Sequence, residues 1–180
     1  MKRIYVNVWV LSGLLAAAGV ALADEDWGGR RGAAVVPVQD ARYARECGSC
    51  HMAYPPGLLP ARSWQKLMGN LADHFGDNAE LPPEDVTAIT AWLTGNAADS
   101  PLYPRSQRSA ASLPDTVTPL RITELPAFAA AHRELPARLV TGNPQVKSLS
   151  QCSACHRNAE AGSFNEREIS IPGYGRWEDD

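Results

Sequence analysis

The chain has 180 residues, with 17 Lys and Arg against 20 Asp and Glu and a formal net charge of -3. Such a balance offers no electrostatic handle to nucleic acid or to an anionic membrane surface, and excludes both as expected partners. Aromatic residues make up only 7% while Gly and Pro number 14 each, so the interior calls for apolar surface beyond what the side chains supply.

Met1, Lys2 and Arg3 precede an apolar run from Ile4 to Ala23, and Asp24, Glu25 and Asp26 follow it. A basic start, an apolar middle and the small-x-small stretch Ala21-Leu22-Ala23 predict an export signal over residues 1–23, cleaved after Ala23, and hence a periplasmic protein. The run is nearly long enough to be an uncleaved anchor instead, but the small residues before Asp24 and the acids after it favour cleavage. No later segment approaches a membrane span, so no integral membrane segment is expected after cleavage.

Residues 24–37, with Gly28, Gly29 and Gly32, read as a flexible leader. Val38 to Glu46 reads as a short helix running into Cys47-Gly48-Ser49-Cys50-His51. Tyr54 to Arg62 holds Pro55, Pro56 and Pro60 and is expected to be an extended loop, one of whose carbonyls accepts the His51 Nδ1 proton. Arg62 is expected to be exposed, with pairing to a cofactor carboxylate as the less favoured reading. Trp64, Leu67, Met68, Leu71 and Phe75 share helical spacing and predict a helix with His74 beside its end and Gly76-Asp77-Asn78 as its stop. A further helix is signalled from Leu81 to Asn96 by proline at the start, Glu84 and Asp85 in the first turn, and Val86, Ile89 and Leu93 on one face. Residues 38–98 thus form a compact unit of helix, motif, loop, helix and final helix. Residues 99–125, rich in Pro, Ser, Thr and Arg, read as a linker or strap. Residues 126–180 contain a short helix ending near His132 between Pro126 and Pro136, then Cys152-Ser153-Ala154-Cys155-His156, and have little core of their own. They are expected to fold against the first unit, which would bring the two motifs close together.

The four cysteines all fall into two Cys-x-x-Cys pairs, and in both the next residue is His. Two thiols at this spacing reach the two vinyl groups of one porphyrin, and the adjacent imidazole reaches its iron. A zinc ribbon pairs two such units without needing His there, and a thioredoxin-like site uses one. The pattern predicts two covalently bound haem c groups, held by Cys47 and Cys50 and by Cys152 and Cys155, with His51 and His156 as iron ligands.

Two histidines remain, His74 and His132, as candidates for the far side of each iron. Met68 competes, because Met1 leaves with the signal and Met52 adjoins a motif histidine. The simplest assignment pairs His51 with His74 and His156 with His132, with the crossed assignment left open. Two imidazoles per iron leave no vacant position and lower the potential relative to His and Met, so electron transfer without substrate is expected. The rival is a dihaem enzyme, peroxidase-like, with one open iron.

The stretches Cys47 to Pro60, Ser63 to Leu67, His74-Phe75-Gly76, Phe128 to Leu139, Cys152 to Gly162 and Ile171-Pro172-Gly173 together resemble the dihaem cytochrome c family of proteobacteria. The resemblance implies a mainly α protein: a class I cytochrome c-like N-terminal domain beside a largely irregular C-terminal segment that holds the second haem. It also implies bis-histidine ligation through His51, His74, His132 and His156. As redox partners it implies a small oxygen-binding monohaem cytochrome, to which the protein donates, and a membrane cytochrome b.

Overall fold

The computed structural model of the protein describes residues 35–101, 106, 110 and 112–177. The expected signal over 1–23, and all of the expected leader except Val35 to Pro37, lie outside the described residues. Val35 itself is buried, and its N–H donates to the Gly162 carbonyl at 3.4 Å.

Helix α1, Ala41–Cys47, starts where the Asp40 carboxylate accepts the Tyr43 N–H at 2.7 Å, which satisfies one of the donors a helix start leaves unpaired. It delivers Cys47 at its last position. The proline stretch that follows, expected to be an extended loop, is only partly extended: Pro56–Leu58 winds into a 3-10 turn, and Pro55, Pro56 and Pro60 are fully buried. Gly57 permits this close packing, since a Cβ there would come within 3.0 Å of Ser106 Oγ and 3.3 Å of Val35. Arg62 is already helical, in α2, Ala61–Met68.

Helix α2 is shorter than its apolar spacing suggests. Gly69 closes it, and Leu71–Asp73 forms a separate 3-10 turn that leads to His74. Helix α3, Pro83–Gly95, fits its expected bounds, with proline in the first turn, Glu84 and Asp85 beside the positive helix end, and Asn96 as cap. Arg42 of α1 pairs with Asp85 at 3.1 Å, a half-exposed contact worth at most about 1 kcal/mol. Burial contributes more. Ile89 and Leu93 are wholly buried against Leu59, Trp64 and Met68, and each such side chain is worth about 1.5–3 kcal/mol. Trp64 keeps its indole N–H satisfied inside this core by donating to the Pro56 carbonyl at 2.8 Å.

The same core takes in Leu113 and Leu125 from the strap and Phe128 from α4, Pro126–Ala131. Ser106 and Ala110 are helical and buried. Arg62 holds the strap down, donating through Nε to the Val117 carbonyl at 2.8 Å and through Nη2 to that of Pro114 at 3.3 Å. Beyond α4 the chain is mostly irregular, with helix α5, Cys152–Cys155, short 3-10 turns, and an antiparallel pair, β1 (Ser170–Ile171) and β2 (Gly175–Arg176), in which Ser170 faces Arg176. A second cluster joins Val35 and Leu58 to Ala159 and Phe164, so the C-terminal segment packs directly on the N-terminal unit. The fold is mainly α, as expected, with an irregular C-terminal part.

Candidate functional site

The first motif emerges from the end of α1. Its histidine, His51, is half-buried, and Nδ1 lies 2.7 Å from the Met52 carbonyl. A carbonyl only accepts, so this nitrogen carries the proton and Nε2 presents its lone pair. The partner is therefore the next residue's own carbonyl rather than one from the proline loop. Tyr54 stacks on the imidazole, with ring centroids 5.0 Å apart and planes within 28°.

His74 faces His51 with its ring centroid 6.2 Å away and its plane within 17°. A tight turn holds it there. His74 and Asp77 exchange backbone hydrogen bonds of 2.7 and 3.3 Å, and the intervening Phe75 and Gly76 have φ of 60° and 102°. Phe75 pays the steric cost of a left-handed conformation, roughly 1–2 kcal/mol, that glycine avoids. Its ring, 45% exposed, meets His74 edge-on at 4.9 Å and carries the Arg121 guanidinium 4.0 Å above its centroid. Burial, then the neighbouring His51, pushes the His74 pKa down, which keeps the ring neutral and able to ligate. Met68 lies in the core among Leu59, Ile89 and Leu93.

The second site is a cleft of ≈ 890 Å³, solvent-facing mouth included, lined by His132, Cys152, Cys155 and His156 together with apolar side chains such as Leu139, Val140 and Ile171. His132 caps α4, its Nδ1 donating to the Phe128 carbonyl at 2.9 Å and its ring stacked on Phe128 at 4.0 Å. His156 ends α5. Its ring sits 6.1 Å from that of His132, but the planes cross at 73°. Burial, aided by His132, lowers the His156 pKa to about 4, so this imidazole too is neutral. Its Nδ1 is buried without a partner among the described residues, unlike Nδ1 of His51 and His132.

The donor set fits haem. Two imidazoles that each stand about 2 Å from a shared metal have centroids roughly 6 Å apart, the separation at both sites. All four cysteines are free, none joined in a disulfide, and burial pushes the Cys47 and Cys152 thiols up to about 11. A zinc ribbon would draw both Cys pairs around one ion, whereas among the described residues no three His, Cys, Asp or Glu side chains converge in that way.

The structure thus brings His74 to the first motif and His132 to the second. The aromatic partners Tyr54, Phe128 and Phe164 were not singled out as site residues. Phe128 was within reach, because it lies four residues before His132 on the same helix face. Tyr54 and Phe164, which meets His156 edge-on at 5.3 Å, sit in irregular segments without any periodic signal.

Residues 43–164 match the model of the dihaem cytochrome c family. Among solved structures, a diheme cytochrome c from Shewanella baltica is 45% identical, with a TM-score of 0.65 over 77% of this chain and 97% of that one. A diheme cytochrome c from Rhodobacter sphaeroides is 44% identical, with a TM-score of 0.65 over 72% of this chain and all of the other, 100%. No curated protein matched the sequence. The chain therefore belongs to the dihaem cytochrome c family, an electron-transfer family, and carries two covalently bound haem c groups.

Proposed function

We propose that the protein is a periplasmic electron carrier in which two histidines close each iron, His51 with His74 and His156 with His132, so that it passes electrons at low potential and turns over no substrate. The observation that carries this reading is that each motif histidine faces a second imidazole across the width of one metal, 6.2 and 6.1 Å between centroids.

Each haem, when bound, supplies an iron that takes up and releases one electron. The Met52 and Phe128 carbonyls hold the Nδ1 protons of His51 and His132, which orients both rings and makes Nε2 the more basic ligand atom. An imidazole in place of a thioether favours the oxidised metal and supports the low potential, and the core position of Met68 agrees with this. A second histidine at each site leaves no position for the substrate of a peroxidase.

The basic and apolar N-terminal pattern supports export, and no helix among the described residues is long and apolar enough to cross a membrane. As partners we propose an oxygen-binding monohaem cytochrome as acceptor and a membrane cytochrome b as donor, on the strength of the family resemblance. The ligand pairs are tested by His132→Ala: only the second haem is expected to turn high-spin, whereas a change at the first would mean that the pairs are crossed.

A further inference from the structure

Arg121 brings the strap onto the first site. It lies just ahead of the 3-10 turn Ile122–Glu124, and its backbone is fixed there: the Glu124 carboxylate accepts the Leu120 and Arg121 N–H groups at 3.2 and 3.3 Å, and the Glu124 N–H donates to the Arg121 carbonyl at 3.0 Å. Ile122 and Leu125 anchor this turn in the core. The side chain reaches over the Phe75 ring, with the guanidinium carbon 4.0 Å from its centroid, and Phe75 in turn meets the His74 imidazole edge-on at 4.9 Å. The backbone around His74 is closed by other means, since Asp73 accepts the Phe75 N–H through its carbonyl and the Gly76 N–H through its carboxylate, both at 3.1 Å. The Phe75 ring has no such restraint: it stands 45% exposed on a residue with φ of 60°. A bulky aromatic kept at a strained and half-exposed position, next to an iron ligand, points to a use for its ring.

We propose that Arg121 is a positioning residue for the first redox site: lying on the Phe75 ring, it keeps that ring edge-on against His74 and so holds this imidazole at the iron and nearly parallel to His51. The proposal rests on His74 as an iron ligand. A guanidinium is attracted by the negative face of an aromatic ring, and the contact offsets part of the steric cost of the left-handed residue. The same charge has a second effect. Burial and then His51 lower the His74 pKa, and Arg121 adds to them against the opposing pull of Asp77, so the guanidinium disfavours further positive charge at this site. For the same reason it favours an arriving electron, which raises the potential of the first haem above that of the same site without Arg121. Stacking and charge are separable, because lysine keeps the charge but lacks the planar face.

The test uses holoprotein with Arg121→Gln, Arg121→Lys and Phe75→Leu beside the unsubstituted protein. Haem content and spin state come first, then the reduction potential of each haem, the ferric EPR signal of the first, and the rate at which cyanide displaces its distal ligand. Arg121→Gln is expected to lower the potential of the first haem, to leave that of the second in place, and to speed cyanide entry at the first severalfold. Phe75→Leu is expected to speed cyanide entry and shift the EPR signal of the first haem, with little change in its potential. Arg121→Lys should restore the potential but not the slow entry of cyanide. Cyanide entry and an EPR signal at the unsubstituted values in both Arg121→Gln and Phe75→Leu, with both haems low-spin, would overturn the proposal. A high-spin first haem in the unsubstituted protein would instead remove the ligand reading and the proposal together.

Discussion

The His51 and His74 rings lie nearly parallel, 17° apart, whereas those of His132 and His156 cross at 73° with almost the same separation. Each angle is set locally. The Met52 carbonyl and the Tyr54 ring fix His51, and the turn at Phe75-Gly76 fixes His74. At the second site Phe128 fixes His132 from its own helix while His156 lies against Phe164. Parallel imidazoles single out one iron d orbital for π interaction, and crossed ones treat two alike. The ferric holoprotein is therefore expected to give two different low-spin EPR signals, an ordinary rhombic one from the first haem and one dominated by a single large g value from the second. Two identical signals would contradict the ring geometry.

Arg62 ties α2 to the strap through the Val117 and Pro114 carbonyls. Arg62→Ala is expected to cost about 1 kcal/mol, since both bonds are solvent-exposed, and to speed proteolysis around residues 113–118. Both potentials should stay where they are. A shifted potential with an intact strap would mean that Arg62 serves a haem carboxylate instead.

Tyr43 is buried in the core and donates to the Tyr54 carbonyl, and burial raises its pKa above that of a free phenol. The folded state therefore holds the proton to higher pH than the unfolded chain does. Its contribution to stability is intact below the ordinary tyrosine value of about 10 and is lost as the pH climbs from there towards the raised folded value. Tyr43→Phe is expected to lose about 1 kcal/mol at neutral pH with the hydrogen bond, and to flatten the decline above pH ~10, as urea midpoints measured across this range would show. An alkaline slope unchanged in the variant would assign that slope to other groups.

The two haem-binding motifs were legible in the sequence because they are local: four cysteines and two adjacent histidines at fixed offsets. Helix α3 was legible too, since proline, the first-turn acids and the Ile89–Leu93 face all agree. The stretch after α2 was not. Phe75 continues the helical spacing of Trp64 and Leu71, but Gly69 and Asn70 interrupt the helix, and Phe75 ends 45% exposed in a turn. The strap had no apolar period, yet Leu113 and Leu125 reach the core because burial there depends on α2, α3 and α4 rather than on the strap's own repeat. Tyr54 was hidden for the same reason, its partner at Ser150 being brought to it only by the fold.

The claim that both irons are closed by paired histidines is tested most directly by the absorption spectrum of the reduced holoprotein, with haem counted per chain, before and after carbon monoxide. The expected result is two low-spin haems whose spectrum does not change. A high-spin fraction that binds carbon monoxide would contradict it, and would return an open iron, and with it catalysis or gas binding, to one of the two sites.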